Sequence, residues 1–391
     1  MSAKYWACVG PVVVLIAAMV VMVCVGGCAQ PTVKASKKDQ GCVFFPPAPN
    51  VARIQFLCHL SGSDDLTPAG PKRSSALADF ITGDSGEEKE GYQRIGRAYG
   101  LAVRDGKLFV ADSQNACIAV MDMVKQQLSR FGRTGPGRLK KPINVRLDRS
   151  GRIYVTDTQR REIVVFEADG KYITAFGGGK GLYPVDVAVV GDELYVLDGL
   201  ASCVNVYDLA TGEAKRSFGG KGMAHGKLDR PTNMIVDDKG AVYVSDMMNF
   251  RIQKLDSNGK HLAEFGQSGY GPGAFGRPKG VAVDRDGVLY VVDAISAVVQ
   301  LLDQRNRPLM HFGELGVQRG RLYLPAQVVV DYDNIEPFRK YMAPDFKTKY
   351  LIFVTNQFGP NRISVFAFGR GPGGGKTPPA PLLRATTRPR T

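Results

Sequence analysis

Residues 231–266 read PTNMIVDDKGAVYVSDMMNFRIQKLDSNGKHLAEFG, and the pattern in this stretch recurs along the 391-residue chain. Residues 278–313 repeat it as PKGVAVDRDGVLYVVDAISAVVQLLDQRNRPLMHFG. Each copy holds a short apolar run, a turn, a strand ending in aspartate, a further strand and a closing Phe-Gly pair. Other copies begin at Tyr99, Pro142, Pro184 and, in a more divergent form, Pro325. The closing pairs stand about 42 to 47 residues apart, a period typical of propeller blades.

The runs within each copy predict four short strands and no long helix. Residues 281–284 and Leu289–Asp293 are rich in valine, leucine and tyrosine, and the turn signal Asp-Arg-Asp-Gly separates them. One such unit cannot bury both faces of its sheet, so the units must stack on each other around an axis. The sequence therefore predicts an all-β fold, a six-bladed β-propeller.

The two ends of the repeat array predict how the ring closes. The last copy offers strands at residues 327–330, 351–355 and 362–368, and then enters a Gly-rich segment with no fourth strand. Residues 53–57 (RIQFL) form a lone strand pattern ahead of the first copy. We therefore predict that this N-terminal strand completes the last blade and removes an open sheet edge.

The first residues predict export and lipid attachment. Lys4 precedes an apolar run over residues 9–25, which is typical of a signal peptide over residues 1–27. The following Gly26-Gly27-Cys28 resembles a bacterial lipoprotein signal, which implies that Cys28 carries lipid. An uncleaved membrane helix is the alternative. Both interpretations place the propeller outside the cytoplasm on a membrane, and Ala29, by the same resemblance, favours the outer membrane.

Composition divides the remaining chain. We assign residues 28–50 to a tether, 51–369 to the propeller and 370–391 to a disordered basic Gly/Pro-rich tail. Within the propeller, residues 51–60 are the closing strand, 61–98 an insertion with a short helix near 75–81, and 99–369 the repeats. A second insertion, residues 332–349, is rich in aromatic residues. It is either a contact loop or a flap over the ring seam.

The net charge limits the classes of partner that the protein is expected to bind. The formal net charge is +14, which outside the cytoplasm favours a protein or an anionic envelope polymer as partner and disfavours nucleic acid. The same charge can serve solubility alone. We expect a monomer.

The cysteines suggest little chemistry. Cys42 and Cys58 could pair in an oxidising compartment, or remain free. Cys117 and Cys203 are predicted to be small buried residues.

The segment Asp246-Met-Met-Asn249-Phe250-Arg251-Ile252 resembles the NHL repeat, whose usual form is Tyr-Val-Ala-Asp-x-x-Asn-x-Arg-Ile. The histidine of that name is replaced here by Phe250. The resemblance covers about residues 99–368 and implies a propeller. The whole chain is similar to lipoprotein NHL propellers of anaerobic, metal- or sulfate-reducing bacteria, which implies a place in an envelope or multihaem cytochrome system.

Two sets of polar residues are predicted at one mouth of the central channel. The ends of the second strands carry Asp112, Asp157, Asp198, Asp246, Asp293 and Asn356, and their recurrence in every blade indicates a structural role in holding loops. The third positions of the first strands differ between blades and are Gly100, Asn144, Asp186, Asn233, Gly280 and Gln327. Their oxygens suit Ca²⁺ or Mg²⁺, with an ordered water cluster as the alternative.

An enzyme is the alternative to a binding module. Propeller lactonases and lyases need a metal near the channel and a positioned base. The four histidines, His59, His225, His261 and His311, lie in predicted outer strands or a loop, and a hydrolytic triad lacks its histidine for the same reason. We therefore expect no cofactor and no catalytic residues, and favour a membrane-anchored binding or scaffold propeller.

The loops that follow the second strands differ between blades, as recognition requires. We predict partner contacts there from Arg160, Arg161, Met247, Met248, Phe250 and Phe358. Burial of the methionine and phenylalanine tips within the ring is the competing interpretation.

Overall fold

The computed structural model describes residues 41–66, 93–178 and 181–371. Within them, antiparallel sheets form six blades, and the first strands of neighbouring blades contact each other around a central axis. The predicted six-bladed propeller is confirmed. The predicted helix near residues 75–81 and the lipidation site Cys28 lie outside the described residues. Among the residues that are described, no helix is long and apolar enough to cross a membrane.

The strands of each blade run outward from the axis in chain order. Those of blade one are Ala98–Arg104, Lys107–Asp112, Cys117–Asp122 and Gln127–Phe131. Those of blade two are Pro142–Leu147, Ile153–Asp157, Glu162–Phe166 and Tyr172–Gly177, and those of blade three are Pro184–Val190, Glu193–Asp198, Cys203–Asp208 and Ala214–Gly219. Those of blade four are Met234–Val236, Val242–Asp246, Arg251–Leu255 and His261–Phe265, and those of blade five are Pro278–Val283, Leu289–Asp293, Val298–Leu302 and Pro308–Gly313. Blade six has Pro325–Asp331, Lys347–Asn356 and Ile363–Arg370. Short 3₁₀ helices span Ser63–Asp65, Met247–Asn249 and Glu336–Tyr341.

Blade six is closed by the N-terminal part of the chain. Ile54–Leu60 pairs antiparallel with Ile363–Arg370, so that Ile54 faces Phe368. This confirms the predicted closing strand. A further strand, Val43–Phe45, pairs with the closing strand and gives blade six five strands. The predicted tether, residues 28–50, includes these three residues, because a three-residue strand is too short to give a periodic signal in the sequence.

The core lies between the blades, and the second strands contribute most to it. Both faces of these strands are buried, as in the run Leu289–Asp293. Tyr290 reaches the next blade, where its hydroxyl lies 2.6 Å from that of Tyr350. The Tyr350 hydroxyl also donates to Asp284 at 2.9 Å. Apolar packing between the blades, together with hydrogen bonds of the buried tyrosine hydroxyls, therefore holds neighbouring blades together.

The second insertion covers the seam between blades six and one. Phe338 is fully buried and packs edge-on against Phe353, with ring centroids 5.4 Å apart. Asn334 accepts a 2.6 Å hydrogen bond from the backbone N–H of Gly106 in blade one. The backbone carbonyl of Tyr341 accepts from the Gln55 amide at 3.1 Å. Of the two interpretations offered for this insertion, the flap over the seam is confirmed.

Two cysteines of the described residues, Cys42 and Cys58, are free thiols. Cys42 is exposed, Cys58 is half-buried, and no bond joins them. Cys117 is buried, in agreement with the prediction, whereas Cys203 is only partly buried. Burial raises the pKa of the Cys203 thiol.

The two faces of the ring carry different connections. First strands begin and second strands end on one face, which we call the loop face. It bears the loops from strand two to strand three and from each fourth strand to the next blade, including residues 61–66 after the closing strand. The opposite face, which we call the turn face, carries the tight turns within each blade.

Candidate functional site

The aspartates at the ends of the second strands hold the loop face together. Asp112 accepts hydrogen bonds from the backbone N–H groups of Gly96 and Arg97 on one side and of Gln114 and Asn115 on the other. Its counterparts in blades two to five also bind both flanking loops. Their predicted structural role is confirmed. Such fully bonded carboxylates fix the positions of the loop tips.

Blade six has an asparagine at this position, and the structure gives the reason. Asn356 accepts from the backbone N–H of Tyr323 at 3.0 Å, as an aspartate would. Its amide nitrogen also donates to the hydroxyl of Ser364 at 3.0 Å, which a carboxylate could not do.

The polar residues at the third positions form a buried network around an arginine. Asn144, Asp186, Asn233 and Gln327 are all buried. Arg146, from the first strand of blade two, donates to Asp186 of blade three at 2.9 Å and to the backbone carbonyl of Met234 in blade four at 3.4 Å. The amide of Gln327 in blade six, with its oxygen turned towards Arg146, accepts from the guanidinium at 3.0 and 3.1 Å. One side chain thus ties four blades together across the axis.

Glycine occupies the third position in blades one and five because the neighbours leave no room. A Cβ on Gly100 would stand 2.2 Å from the side-chain oxygen of Asn144. A Cβ on Gly280 would stand 2.6 Å from the Cα of Gln327. The presence of glycine in these two blades therefore has a steric cause.

The hydrogen bonds of this network bear on whether the predicted ring can bind a divalent cation. The only carboxylate in the predicted ring, Asp186, also accepts from the backbone N–H groups of Val187 and Met234. Burial raises the pKa of Asp186, and the adjacent Arg146 opposes that shift. A Ca²⁺ or Mg²⁺ ion here would have to displace the guanidinium from its carboxylate, so the channel-mouth cation stays an untested prediction.

A cavity of about 190 Å³ lies next to this network on the loop face. The second residue at the start of each blade contributes to its wall: these residues are Tyr99, Ile143, Val185, Thr232, Lys279 and Ala326. Lys141, Thr158, Tyr183 and Asn233 also line it. Bulges in the first strands of blades one, two, three, five and six let successive residues turn towards the axis.

Lys279 is the distinctive side chain of this cavity. It is only 8% exposed, and its ammonium lies 5.5 Å from the ring centroid of Tyr99, a cation–π contact. No carboxylate of the described residues lies within ion-pair distance of it. Burial, with a contribution from the charge of Arg277, lowers the pKa of Lys279 to about 8. Within the described residues, the cavity therefore holds a cation that no carboxylate neutralises.

A second and larger cavity, of about 590 Å³, lies on the turn face between the flap and blade one. Some of its polar groups bind one another or the backbone. Asn334 donates to Asp331 at 2.8 Å, and Arg104 donates to the backbone carbonyl of Asp148 at 2.7 Å. This cleft lies where the flap packs against blade one.

The predicted partner residues divide into exposed and structural members. Met248 is 47% exposed and Phe358 is 41% exposed, with the guanidinium of Arg97 lying 4.6 Å from the Phe358 ring centroid. Arg161 is also exposed. Arg160 is half-buried, pairs with Glu162 and donates to two carbonyls of the preceding loop.

Met247 and Phe250 are half-buried, so the competing interpretation, burial of these side chains within the ring, applies to part of the predicted partner set. The six residues belong to blades two, four and six and do not form one continuous patch. They share the loop face, but they are separated around the ring.

Exposed apolar side chains are concentrated on the loop face. Among the described residues, the exposed large apolar side chains of this face are Tyr183, Leu200, Met223, Met248, Tyr270, Ile295, Leu315, Val317 and Phe358. Leu262 and Leu309 lie on outer fourth strands, and Val124 lies on the turn face. Most of the loop-face set belongs to blades four to six and their connecting loops, which we call the apolar sector.

Charge is also divided between the faces. The basic residues of the described loop-face segments are Arg94, Arg97, Arg133, Arg138, Lys140, Lys141, Arg160, Arg161, Lys221, Lys227, Arg230, Arg277, Arg319, Arg321 and Arg362. The acidic residues of the same segments are Asp64, Asp65, Asp229 and Glu314. On the turn face, every blade contributes acid to its first turn, through Asp105, Asp148, Asp192, Asp237, Asp284 and Asp333. The described loop face is therefore basic, most densely over residues 132–141 and 158–161, which we call the basic sector.

The histidines lie away from the channel cavity, as predicted, but two of them meet at the rim of blade four. His225 and His261 stack with ring centroids 4.0 Å apart, and Glu264 lies beside them, so these three could hold a metal ion. The stacked planes are nearly parallel, at 6°, so the ring nitrogens direct their lone pairs side by side. Arg251 already pairs with Glu264 at 2.9 Å. This geometry does not converge on one ion.

Sequence reasoning missed Arg146 and Lys279, although a signal for both was present. Aligned on the starts of the blades, the fifth position reads Ala102, Arg146, Ala188, Ile235, Ala282 and Val329. Lys279 is likewise the single charged residue among the second positions. A lone charge in an otherwise apolar buried column indicates a special role.

The comparisons with known proteins support the fold. No protein-family model matches the chain. Over 143 residues it is 30% identical to the protein brain tumor of Drosophila melanogaster, covering 34% of this chain and 13% of that protein's length. An auxiliary nutrient binding protein from Bacteroides thetaiotaomicron is 15% identical, with a TM-score of 0.52 over 70% of each chain. One from Bacteroides ovatus is 12% identical, with a TM-score of 0.52 over 70% of this chain and 69% of that chain. At 12 and 15% identity, the two solved structures support the fold alone, a β-propeller.

Proposed function

We propose that this chain is a binding propeller of the bacterial cell envelope, anchored by lipid at Cys28, whose loop face docks an acidic partner protein. The observation that carries the proposal is the distribution of side chains between the two faces. Among the described residues, the loop face combines most of the exposed large apolar side chains with an excess of basic residues, whereas the turn face has Val124 as its one such apolar side chain and carries acid in every first turn.

Apolar anchors surrounded by charge are the usual composition of a protein interface. Met223 is 78% exposed and Tyr270 is 80% exposed, which is a high exposure for large apolar side chains. The tips are held by a rigid frame, because the second-strand aspartates bind both flanking loops. Basic residues steer an acidic partner towards this face, and the apolar sector supplies contact area.

The geometry of blade four supports the NHL assignment within the proposal. Asn249 and Arg251, the two polar residues of the motif, both bind the carboxylate of Asp246, at 2.8 and 3.0 Å. The motif thus serves to fix the loop after the second strand. In blade six the corresponding Asn361 and Arg362 instead donate to the backbone carbonyls of Val317 and Ile95, at 2.8 and 3.1 Å.

The test places a photo-cross-linking amino acid at position 223 or 270 in the native host, with position 124 as the matched control. Val124 is 69% exposed and lies on the turn face. We expect one acidic protein to be captured from positions 223 and 270 and not from 124. Equal capture at position 124 would place the partner elsewhere.

Charge reversal tests the electrostatic part. Arg133→Glu with Lys140→Glu should lower capture roughly tenfold, because it replaces two of the six positive charges of the basic sector with negative ones without removing an internal contact. Lys239→Glu, on the turn face, is the control for net charge and should have no effect. Melting curves of each variant should match the parent chain. Unchanged capture after the double reversal would remove the acidic partner from the proposal.

A further inference from the structure

We propose that the cavity at the loop-face mouth of the channel binds a small organic carboxylate with an apolar, benzene-sized body, and that its carboxylate pairs with Lys279. This site is independent of the protein partner proposed above, because the ligand enters the axis of the ring and does not lie across the loop tips.

The positive charge of the cavity favours a negatively charged ligand. Lys279 is more than nine-tenths buried and has no carboxylate partner among the described residues. An ammonium that is largely shielded from water without a nearby counter-charge is costly, and an anionic ligand would reduce that cost. Lys141 lies at the exposed edge of the same cavity and adds positive charge. None of the residues lining the cavity is acidic.

The shape and the remaining walls define the body of the ligand. Ile143, Val185 and Ala326 present apolar surface, and Tyr99 and Tyr183 present aromatic surface. A volume of about 190 Å³ exceeds the ~150 Å³ of an apolar cavity known to hold benzene. The hydroxyls of Thr158 and Thr232 are further polar groups on the walls, beside the amide of Asn233, and hydroxyls suit the oxygens of a carboxylate.

The protonation of Lys279 sets the pH range of binding. Because burial lowers its pKa to about 8, the amine is charged at neutral pH and becomes neutral above that value. An anion stabilises the ammonium, so it should raise this pKa when it binds. Carboxylate affinity should therefore be highest below pH 8 and decline above it.

Benzoate is the probe, with benzamide as its uncharged isostere. Titration calorimetry at pH 7 should show benzoate binding to the full chain and at least about tenfold weaker binding of benzamide. Lys279→Met keeps the length of the side chain without its charge, and it should lose benzoate binding by about tenfold or more. Lys239→Met, on the turn face, should bind benzoate as the parent chain does.

A second readout does not depend on a variant. Reductive methylation with ¹³C-formaldehyde gives an NMR signal for Lys279, assigned by its loss in the Met variant, and saturating benzoate should move its titration to higher pH. Absence of benzoate binding at millimolar concentration would overturn the proposal. So would equal binding by Lys279→Met, or a Lys279 titration that benzoate leaves unchanged. Loss of partner cross-linking with benzoate binding intact would instead bear on the proposed function alone.

Discussion

At the residue scale, the centre of the ring depends on a few buried polar groups that act across blades. Arg146 joins Asp186 and Gln327, which lie in blades three and six. His59 has a similar role at the ring closure. Its Nδ1 lies 3.1 Å from the hydroxyl of Ser364, and its Nε2 lies 3.4 Å from the carbonyl of Gln318. The carbonyl can only accept, so Nε2 carries the proton and Nδ1 accepts from the serine.

The half-buried imidazole of His59 predicts acid sensitivity. Burial lowers its pKa from 6.5 to about 4, so protonation favours the unfolded chain. Its contribution to stability is complete above pH 6.5 and is lost as the pH falls towards 4. The shift corresponds to at most about 3 kcal/mol of unfolding free energy, and partial solvent access reduces this value.

Denaturant unfolding of the parent chain and of His59→Gln, measured between pH 7 and pH 4, checks this prediction. The variant should lose less stability over that range than the parent chain. His311→Gln, on an outer strand of blade five, should keep the parent's pH dependence. Parallel pH profiles for the parent chain and His59→Gln would contradict the assignment.

At the scale of elements, the two N-terminal strands of blade six contribute unequally. The closing strand pairs along the length of Ile363–Arg370 and buries Phe56 against Phe366, with ring centroids 5.5 Å apart. Val43–Phe45 is short and half-buried, and Phe45 contacts Phe312 and Phe366 only at 6.2 Å between centroids. The closing strand is needed to cover a sheet that continues into the core, and Val43–Phe45 protects the outer edge of that sheet.

Truncation separates these two contributions. A chain starting at residue 51 should melt about 5 °C below a chain starting at residue 41, because it loses a few half-buried side chains. A chain starting at residue 61 should show no cooperative melting, because the buried face of blade six is left open. Circular dichroism melts of the three chains measure this difference. If the shortest chain melts like the longest, the ring closes without the N-terminal strand.

At the scale of the whole molecule, the two faces of the propeller differ. The described loop face is basic and carries exposed apolar tips, whereas the turn face carries acidic residues. The flap and the five-stranded blade seal the seam where the two ends of the chain meet. A sealed ring that presents one recognition face suits a tethered protein, because a tether concentrates that face near its partners. The tether itself stays a proposal.

The anchor is tested by substitution of a single cysteine. Cys28→Ala should abolish incorporation of labelled palmitate and release the protein from the membrane fraction. Cys42→Ala is the matched control, because Cys42 is an exposed free thiol in the described part of the chain, and it should keep the label. Palmitate labelling that persists in Cys28→Ala would favour the uncleaved membrane helix.

The sequence by itself determined the fold class, the number of blades, the closing strand and the structural role of the second-strand aspartates. Each of these depends on a local signal: strand alternation, turn residues and a fixed repeat period. Only the tertiary structure decided how Arg146 spans the axis, that Lys279 lacks a counter-charge, that His225 stacks on His261, and that apolar tips and basic residues share one face. These features join residues from different blades, and their chemistry depends on which side chains the closed ring brings together, which no period within a single blade can specify.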